Sequence, residues 1–375
     1  MIWIFWLAIF SIIYTYFGYP IILFMISIFK RKPVKADVGY VPSVTLIITV
    51  HNEEKRIAKK INNTLDLQYP KDRLEILFTS DASTDTTEDI IKSYTDKGLK
   101  LIRSPYRGGK ELAQKCAIKE ASGEIIVFSD VATMLEPNGI QKIAANFADN
   151  SVGCVSSEDK YIDEQGRVSG EGAYVKYEMW LRSFETQVNS VVGLSGSFFA
   201  ARRDVCQNWP VHIPSDFNTL MNSIRAGYRG ISDPNSIGIY TNISDENKEF
   251  DRKVRTITRG IAALLANKEL LNPMQYGLFS WQLISHKMLR WCVPLFLGIT
   301  FFANLVLLIS GKLFYIMTFM IQSLLYLAVF KKNSHHPSAL MKIIYYFVEV
   351  NRAIAVAWVK YFKGERFVTW SPSKR

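Results

Sequence analysis

The chain is poor in cysteine and histidine, with four of one and five of the other in 375 residues. Cys116, Cys154, Cys206 and Cys292 show no Cys-x-x-Cys spacing. That argues against a disulfide framework and a thiolate zinc site, and leaves reduced core or membrane residues. No Gly-x-Gly-x-x-Gly follows the first strand-like run, and there is no Walker A sequence. A dinucleotide dehydrogenase and a P-loop ATPase are therefore disfavoured. There is no internal repeat and no low-complexity segment, and no charge occurs before Lys30.

What is there is apolar: 49% of residues are hydrophobic and 13% aromatic. Residues 1–29 are long enough to cross a bilayer. A signal peptide is the alternative, but the basic start and the small-x-small cleavage site are missing and the run is too long. An uncleaved transmembrane helix is expected. Lys30, Arg31, Lys32 and Lys35 follow it, and by the positive-inside rule they place residues 40–270 in the cytosol. An interfacial helix is expected over 274–290. Apolar stretches at 291–309 and 313–330, joined by Ser310-Gly311-Lys312, predict a transmembrane hairpin over 291–330. Lys287 and Arg290 precede it and Lys331-Lys332 follow, so both ends face the cytosol. Residues 338–362 are apolar but carry Lys342, Glu349, Arg352 and Lys360 within one narrow helical arc. Such a helix either lies in the membrane interface or spans with its polar stripe packed on neighbours. The interface keeps the basic tail (Lys363, Arg366, Lys374, Arg375) cytosolic and is the reading carried forward. The net charge of +11 would ordinarily suggest nucleic acid. Here the basic residues flank apolar helices, so anionic lipid headgroups account for more of them, and phosphate-bearing substrates for the rest.

The polar middle alternates. Val44–Val50 is a β-branched run read as a buried strand, broken by His51-Asn52-Glu53-Glu54 and followed by a charged amphipathic helix to about residue 66. Strands are expected at 75–80, 99–102 and 125–129, with helices at about 85–96 and 110–121. This order specifies an α/β domain with a parallel sheet and helices on both faces. Gly193 to Ala200 reads as a glycine turn running into an apolar segment, and 216–227 as a helix closed by Gly227.

Two strand-like runs each end in an aspartate, Asp81 and Asp130. Open α/β sheets bind ligands at that edge, so two carboxylates on one rim suggest a charged, hydroxyl-rich ligand and a cation. In Asp81-Ala82-Ser83-Thr84-Asp85 the acidic and hydroxyl groups either cap the next helix or hold a ring N–H or ribose hydroxyl. Both hold if Asp81 takes the ligand while Ser83 or Asp85 caps. Arg107-Gly108-Gly109-Lys110 is either a surface turn or a close backbone approach with a point charge for a diphosphate. Asp130 is either a helix N-cap or one of the few carboxylates that a diphosphate-bridging cation needs. Asp216 is either an N-cap or a base for an acceptor hydroxyl. His51 and His212 have no evident partner.

Taken in order, these segments resemble the membrane-bound family-two glycosyltransferases, whose fold is the Rossmann-like glycosyltransferase A type, along nearly the whole chain. His51 to Glu54 is similar to that family's nucleotide-binding start. Asp81 to Asp85 matches its Asp-Gly-Ser-x-Asp segment, with Ala82 for glycine. Arg107 to Lys110 resembles the diphosphate-side Gly-Lys, and Asp130-Val131-Ala132 stands at the Asp-x-Asp metal motif. Gly193 to Arg203 is similar to the acceptor-side Gly-x-x-Gly stretch with paired arginines. Ser215-Asp216 stands at the motif whose last aspartate is the base. Glu249 to Gly260 and Ser285 to Trp291 also resemble family segments. Ala132 replaces the second metal carboxylate, Ser215 the acidic partner of the base, and Thr256 to Gly260 lacks the tryptophan of processive synthases.

The resemblance implies an inverting glycosyltransferase, a hexosyltransferase using a nucleotide-diphosphate sugar, expected to be a UDP-sugar. The setting implied is the cytosolic face of a bacterial inner membrane, in polysaccharide or cell-envelope glycan synthesis. Asp216 is the implied catalytic base. His51, Glu53, Asp81, Ser83, Arg107, Lys110 and Asp130 are on the donor side, and Gly196, Ser197 and Arg259 on the acceptor side. Asp130 is the metal residue for Mg2+ or Mn2+. The implied partners are the nucleotide sugar, a lipid-linked or glycan acceptor and membrane lipids, with no nucleic acid. A processive polysaccharide synthase and a non-catalytic nucleotide-sugar-binding membrane protein are the competing expectations.

Overall fold

A computed structural model describes residues 1–162, 173–241, 246–330 and 339–367. The chain forms two compact units. One comprises residues 30–244, 262–268 and 366–375, and the other 1–29, 245–261 and 269–365. Lys331, Lys332, residue 338, Lys374 and Arg375, used in the topology reading above, lie outside the described residues.

The first unit is built on one eight-stranded sheet. Its strands are β1 (Val44–Val50), β2 (Leu74–Ser80), β3 (Leu99–Arg103), β4 (Ile125–Asp130), β5 (Met134–Leu135), β6 (Val152–Ile162), β7 (Phe198–Arg202) and β8 (Arg229–Thr241). The spatial order is β3-β2-β1-β4-β7-β6-β8-β5. Every residue of β1 is buried. Period-two alternation sends Leu46, Ile48 and Val50 into one core and Ile47 into the other, so the strand must be apolar on both faces.

The parallel sheet expected from the sequence is found in β3-β2-β1-β4. The rest is mixed. β7 runs antiparallel to both β4 and β6, and β8 runs parallel to β6. This departure has a positional consequence. Because β7 runs against β4, with Ser129 opposite Phe198, the residues that precede β7 arrive at the rim where β4 ends. Register keeps that rim level: Val50 pairs with Ser80, and Thr49 with Asp130. The chain order also reverses between β1 and β4, which is where open sheets leave a crevice.

In the second unit, helices Ile2–Phe29 and Leu278–Ser310 are long and apolar enough to cross a bilayer. Each contains one π turn, Tyr14–Gly18 and Ile284–Met288, and the two meet: Tyr14 Oη lies 2.9 Å from Ser285 Oγ. A π turn aims a side chain off the regular helical rows, so these two polar groups find one another in an apolar interface. Trp281 Nε1 also donates to Tyr14 Oη, at 2.9 Å. Gly311, at φ +66°, closes the longer helix before Leu313–Phe330 begins. Helices Glu246–Ala266 and Ala339–Phe362 share a cluster of Val254, Ile261, Ala353 and Ala357, with Arg352 over the Phe250 ring at 4.4 Å.

Candidate active site

Asp81 and Asp130 follow the ends of β2 and β4 on one rim of the sheet unit, and Lys110 links Asp130 to the turn before β7. Its ammonium donates to Asp130 Oδ1 at 2.5 Å and to the Gly196 carbonyl at 2.7 Å. A Cβ on Gly196 would stand 3.3 Å from Asp216 Oδ2, so the turn before β7 comes close to both Lys110 and Asp216. Behind Lys110, the carboxylate of Asp81 accepts from the backbone N–H groups of Gly108 and Gly109, with Oδ1 at 2.9 and 3.0 Å.

Each position follows from local structure. Lys110 opens the helix Lys110–Glu120, and Gly109 before it has φ +95°, a conformation that favours glycine. Asp81 is almost fully buried, and its charge is met by two N–H groups, so it ties the glycine turn to the end of β2. Ala82, next to it, is left-handed at φ +50°, and so is Asn52 at +52°. The N-cap of helix Thr87–Lys92 is Thr86, not Ser83 or Asp85; Asp85 stands one residue before it and accepts from Thr87 N at 3.1 Å, while Ser83 Oγ takes Asn52 N at 3.2 Å.

Asp216 is not a cap. The N-cap of helix Ser215–Arg225 is Pro214, and no side chain bonds the helix start. The carboxylate is half-buried and lies beside Gly196. Asp130, too, ends a strand and starts no helix; its backbone N–H donates to Ser197 O at 2.9 Å.

The other residues expected on the donor side divide. His51 is buried, with Nδ1 2.8 Å from the Asp81 carbonyl; a carbonyl only accepts, so Nδ1 carries the proton. Glu53 is buried and held by Arg56 through both oxygens, at 2.7 and 2.8 Å. Burial raises its pKa, Arg56 pulls the other way, and the charges of Asp130 and Asp85 add to the rise. Arg107 is exposed, and His212 is exposed as well. Arg259 lies on helix Glu246–Ala266 in the other unit.

The sequence reading missed three groups. Arg56, Glu53's partner, is one. Lys60 is fully buried, with Nζ donating to Ser129 Oγ at 2.8 Å and Thr133 O at 2.5 Å. Burial lowers its pKa to about 7, and the charge of Asp130 opposes the fall. Its signal was present: Ile57, Lys60, Ile61 and Thr64 share the buried face of one helix. Asp159 sits beneath the acceptor-side turn, accepting from Ser195 Oγ at 2.7 Å, Ser197 Oγ at 3.3 Å and Tyr240 Oη at 3.4 Å. Burial raises its pKa against these bonds. Nothing local in the sequence marked it, because its partners lie 36 to 81 residues away.

Among the described residues no group of three His, Cys, Asp or Glu side chains is placed to hold a metal. An ion bound by protein alone does not fit here. Asp130 does fit a cation that a diphosphate carries in, since such ions take one or two protein carboxylates, phosphate oxygens and water.

A parallel half-sheet with carboxylates at its switch point, extended by a mixed half that returns a glycine turn to the same rim, defines a glycosyltransferase A-type domain. Residues 45–221 match the family model described as glycosyl transferase family 2, and the chain carries a glycosyltransferase domain of that family. A beta-monoglucosyldiacylglycerol synthase of Nostoc sp. (strain PCC 7120 / SAG 25.82 / UTEX 2576) is 29% identical over 182 residues, 46% of this chain and 38% of that protein. The probable glycosyltransferase YdaM of Bacillus subtilis (strain 168) is 30% identical over 128 residues, 32% of this chain and 30% of that protein. The match thus spans well under two thirds of either relative. Among solved structures, a mannosyltransferase from Pyrobaculum calidifontis in complex with GDP-Man and Mn2+ superposes with a TM-score of 0.76 at 21% identity, over 97% of this chain and 100% of that one. That likeness is one of fold.

Proposed function

We propose that this chain is an inverting glycosyltransferase that moves a sugar from a nucleotide-diphosphate sugar, a UDP-sugar, to a lipid-linked or glycan acceptor. The observation that carries the reading is the junction at Lys110, where Asp130 and the Gly196 carbonyl share one ammonium and the Asp216 carboxylate lies close to Gly196. An inverting transfer needs a base on one side of the anomeric carbon and positive charge on the other.

In this scheme Asp216 takes the proton of the acceptor hydroxyl. The oxygen attacks the anomeric carbon as its bond to the diphosphate breaks. Lys110, with Arg107 nearby in sequence, offsets the charge that grows on the departing diphosphate. Gly108 and Gly109 let the backbone come close to the phosphates. Glu53, His51, Asp81 and Ser83 shape the nucleotide end, with Ser197 on the acceptor side. Arg259 is a candidate acceptor-side residue by resemblance. A divalent cation, Mg2+ or Mn2+, when held at Asp130, supplies further positive charge to the diphosphate.

The setting proposed is the cytosolic face of a bacterial inner membrane, with Ile2–Phe29 and Leu278–Ser310 as spans, Leu313–Phe330 completing a hairpin and Ala339–Phe362 in the interface. The product class is a cell-envelope glycan or glycolipid. One relative is named for a glucosylated diacylglycerol, which supports a lipid acceptor. The fold neighbour carries GDP-Man, so the base of the donor is a matter for experiment.

The test is Asp216→Asn in the full chain, assayed with radiolabelled UDP- and GDP-sugars on membrane lipid extract. Donor binding retained with transfer lost supports the base assignment, and unchanged turnover excludes it. A single added sugar separates transfer from processive synthesis. Absence of both transfer and donor hydrolysis by the unmodified chain favours a binding protein.

A further inference from the structure

Lys60 has no part in the chemistry above, yet it occupies the most costly position near the site. Its side chain is fully buried. Taking an ammonium out of water is expensive, and a methionine or leucine would fill the same space without that cost. Its partners indicate what the charge does. Nζ bonds Ser129 Oγ and Thr133 O, the residues on either side of Asp130-Val131-Ala132. Other bonds hold the turn from its own backbone and from β7: Thr133 N donates to Asp130 O at 3.1 Å, Asp130 N to Ser197 O at 2.9 Å and Thr133 Oγ1 to Ser197 O at 3.4 Å, so Lys60 supplies the hold from the helix side. The side chain of Ala132 is only a methyl group and offers no hydrogen bond there.

We infer that Lys60 is a positioning residue for the donor-side carboxylate: sealed beneath the Ser129–Thr133 turn, it fixes the direction in which Asp130 leaves strand β4. Lys110 grips the carboxylate from the cleft side while Lys60 grips the backbone from the helix Ile57–Leu65. With one carboxylate in place of two, the aim of that carboxylate decides whether a cation and diphosphate are met. This inference rests on the donor-site reading above.

The experiment titrates Mn2+ with UDP, and separately with GDP, into the full chain in detergent, with heat of binding and Mn2+ spin resonance as readouts. Variants are Lys60→Met and Ser129→Ala, with melting temperature measured in parallel. Lys60→Met is expected to weaken Mn2+–nucleotide binding by ~10-fold or more, the loss typical when the group orienting a metal ligand is removed. The melting temperature separates this loss from a general loss of fold, because binding is compared only where the variant remains folded. Ser129→Ala, which removes one of the two bonds and no charge, is expected to weaken binding by a smaller factor; it decides the matter if Lys60→Met does not fold. Binding unchanged in the folded variants, with the parent chain binding normally, overturns the positioning role and leaves the donor site standing. No nucleotide bound by the parent chain overturns the donor site itself.

Discussion

A methyl group on Gly196 would meet Asp216 Oδ2 at 3.3 Å, tighter than an ordinary contact. The glycine therefore sets how close the turn before β7 comes to the carboxylate. Gly196→Ala must push Asp216 by a few tenths of an ångström. Transfer is expected to slow by ~10-fold or more, because reacting groups tolerate little misplacement, with an unchanged melting temperature. Steady-state kcat beside a thermal melt checks this, and an unaltered kcat would detach Gly196 from the site.

Lys110 bonds two acceptors at 2.5 and 2.7 Å from a compact ammonium. Lys110→Met should cost ~100-fold or more in turnover, the scale of losing one charge aimed at the reaction. Lys110→Arg should rescue little, since a planar fork does not replace a point charge between those oxygens. Rate and nucleoside diphosphate affinity, measured together, distinguish this from a fold defect. Full activity in Lys110→Arg would show that charge alone suffices.

Ala82 carries a Cβ at φ +50°, where L-residues are strained. Ala82→Gly relieves about 1 kcal/mol of that strain, partly offset by the greater freedom of glycine when unfolded. A rise in melting temperature of up to roughly 2–4 °C is expected, with kinetics unchanged. A fall would mean that the conformation costs alanine nothing.

Acid should weaken the sheet unit through two carboxylates held low. Burial pushes Asp149 up, but bonds from Ser151 and Lys35 N and the Arg229 charge outweigh it and bring the pKa to about 2. Glu75 also sits at about 2, where burial is outweighed by Lys100, Ser122 and Thr45. Both are below the ordinary carboxylate range of about 4, so the unfolded chain binds more protons between the two values. Their contribution is complete above that range and is lost as pH falls toward about 2. Asp149→Asn should lower the melting temperature at neutral pH and flatten its decline between roughly pH 5 and pH 2. Identical slopes for parent and variant would remove Asp149 from the account.

Much of this was legible because the central strands are apolar on both faces. Val44–Val50 was expected and found with the same bounds, and β2, β3 and β4 lie within a residue of their expected positions. The mixed half was not legible. The outer part of β6, residues 158–162, is polar and half-buried, and β6 pairs with β8 some 75 residues on, so no local period announces it. For Asp216 the sequence left a cap and a base as alternatives, and Pro214 in the cap position removes the first of them. Asp81 illustrates the opposite limit. Its type and place were clear, but the glycine N–H groups that occupy it belong to a loop 27 residues later.

The match to the glycosyltransferase family ends at residue 221, before β8 begins at Arg229. Nine residues of β6 take their Cα partners from β8, from Val152 through Ile162. A fragment trimmed at the homology limit would strip that side of β6 and leave a long row of open amide and carbonyl groups. Such a row is a template for sticking to other copies, so the trimmed piece should precipitate where the chain carried through Thr241 stays dispersed.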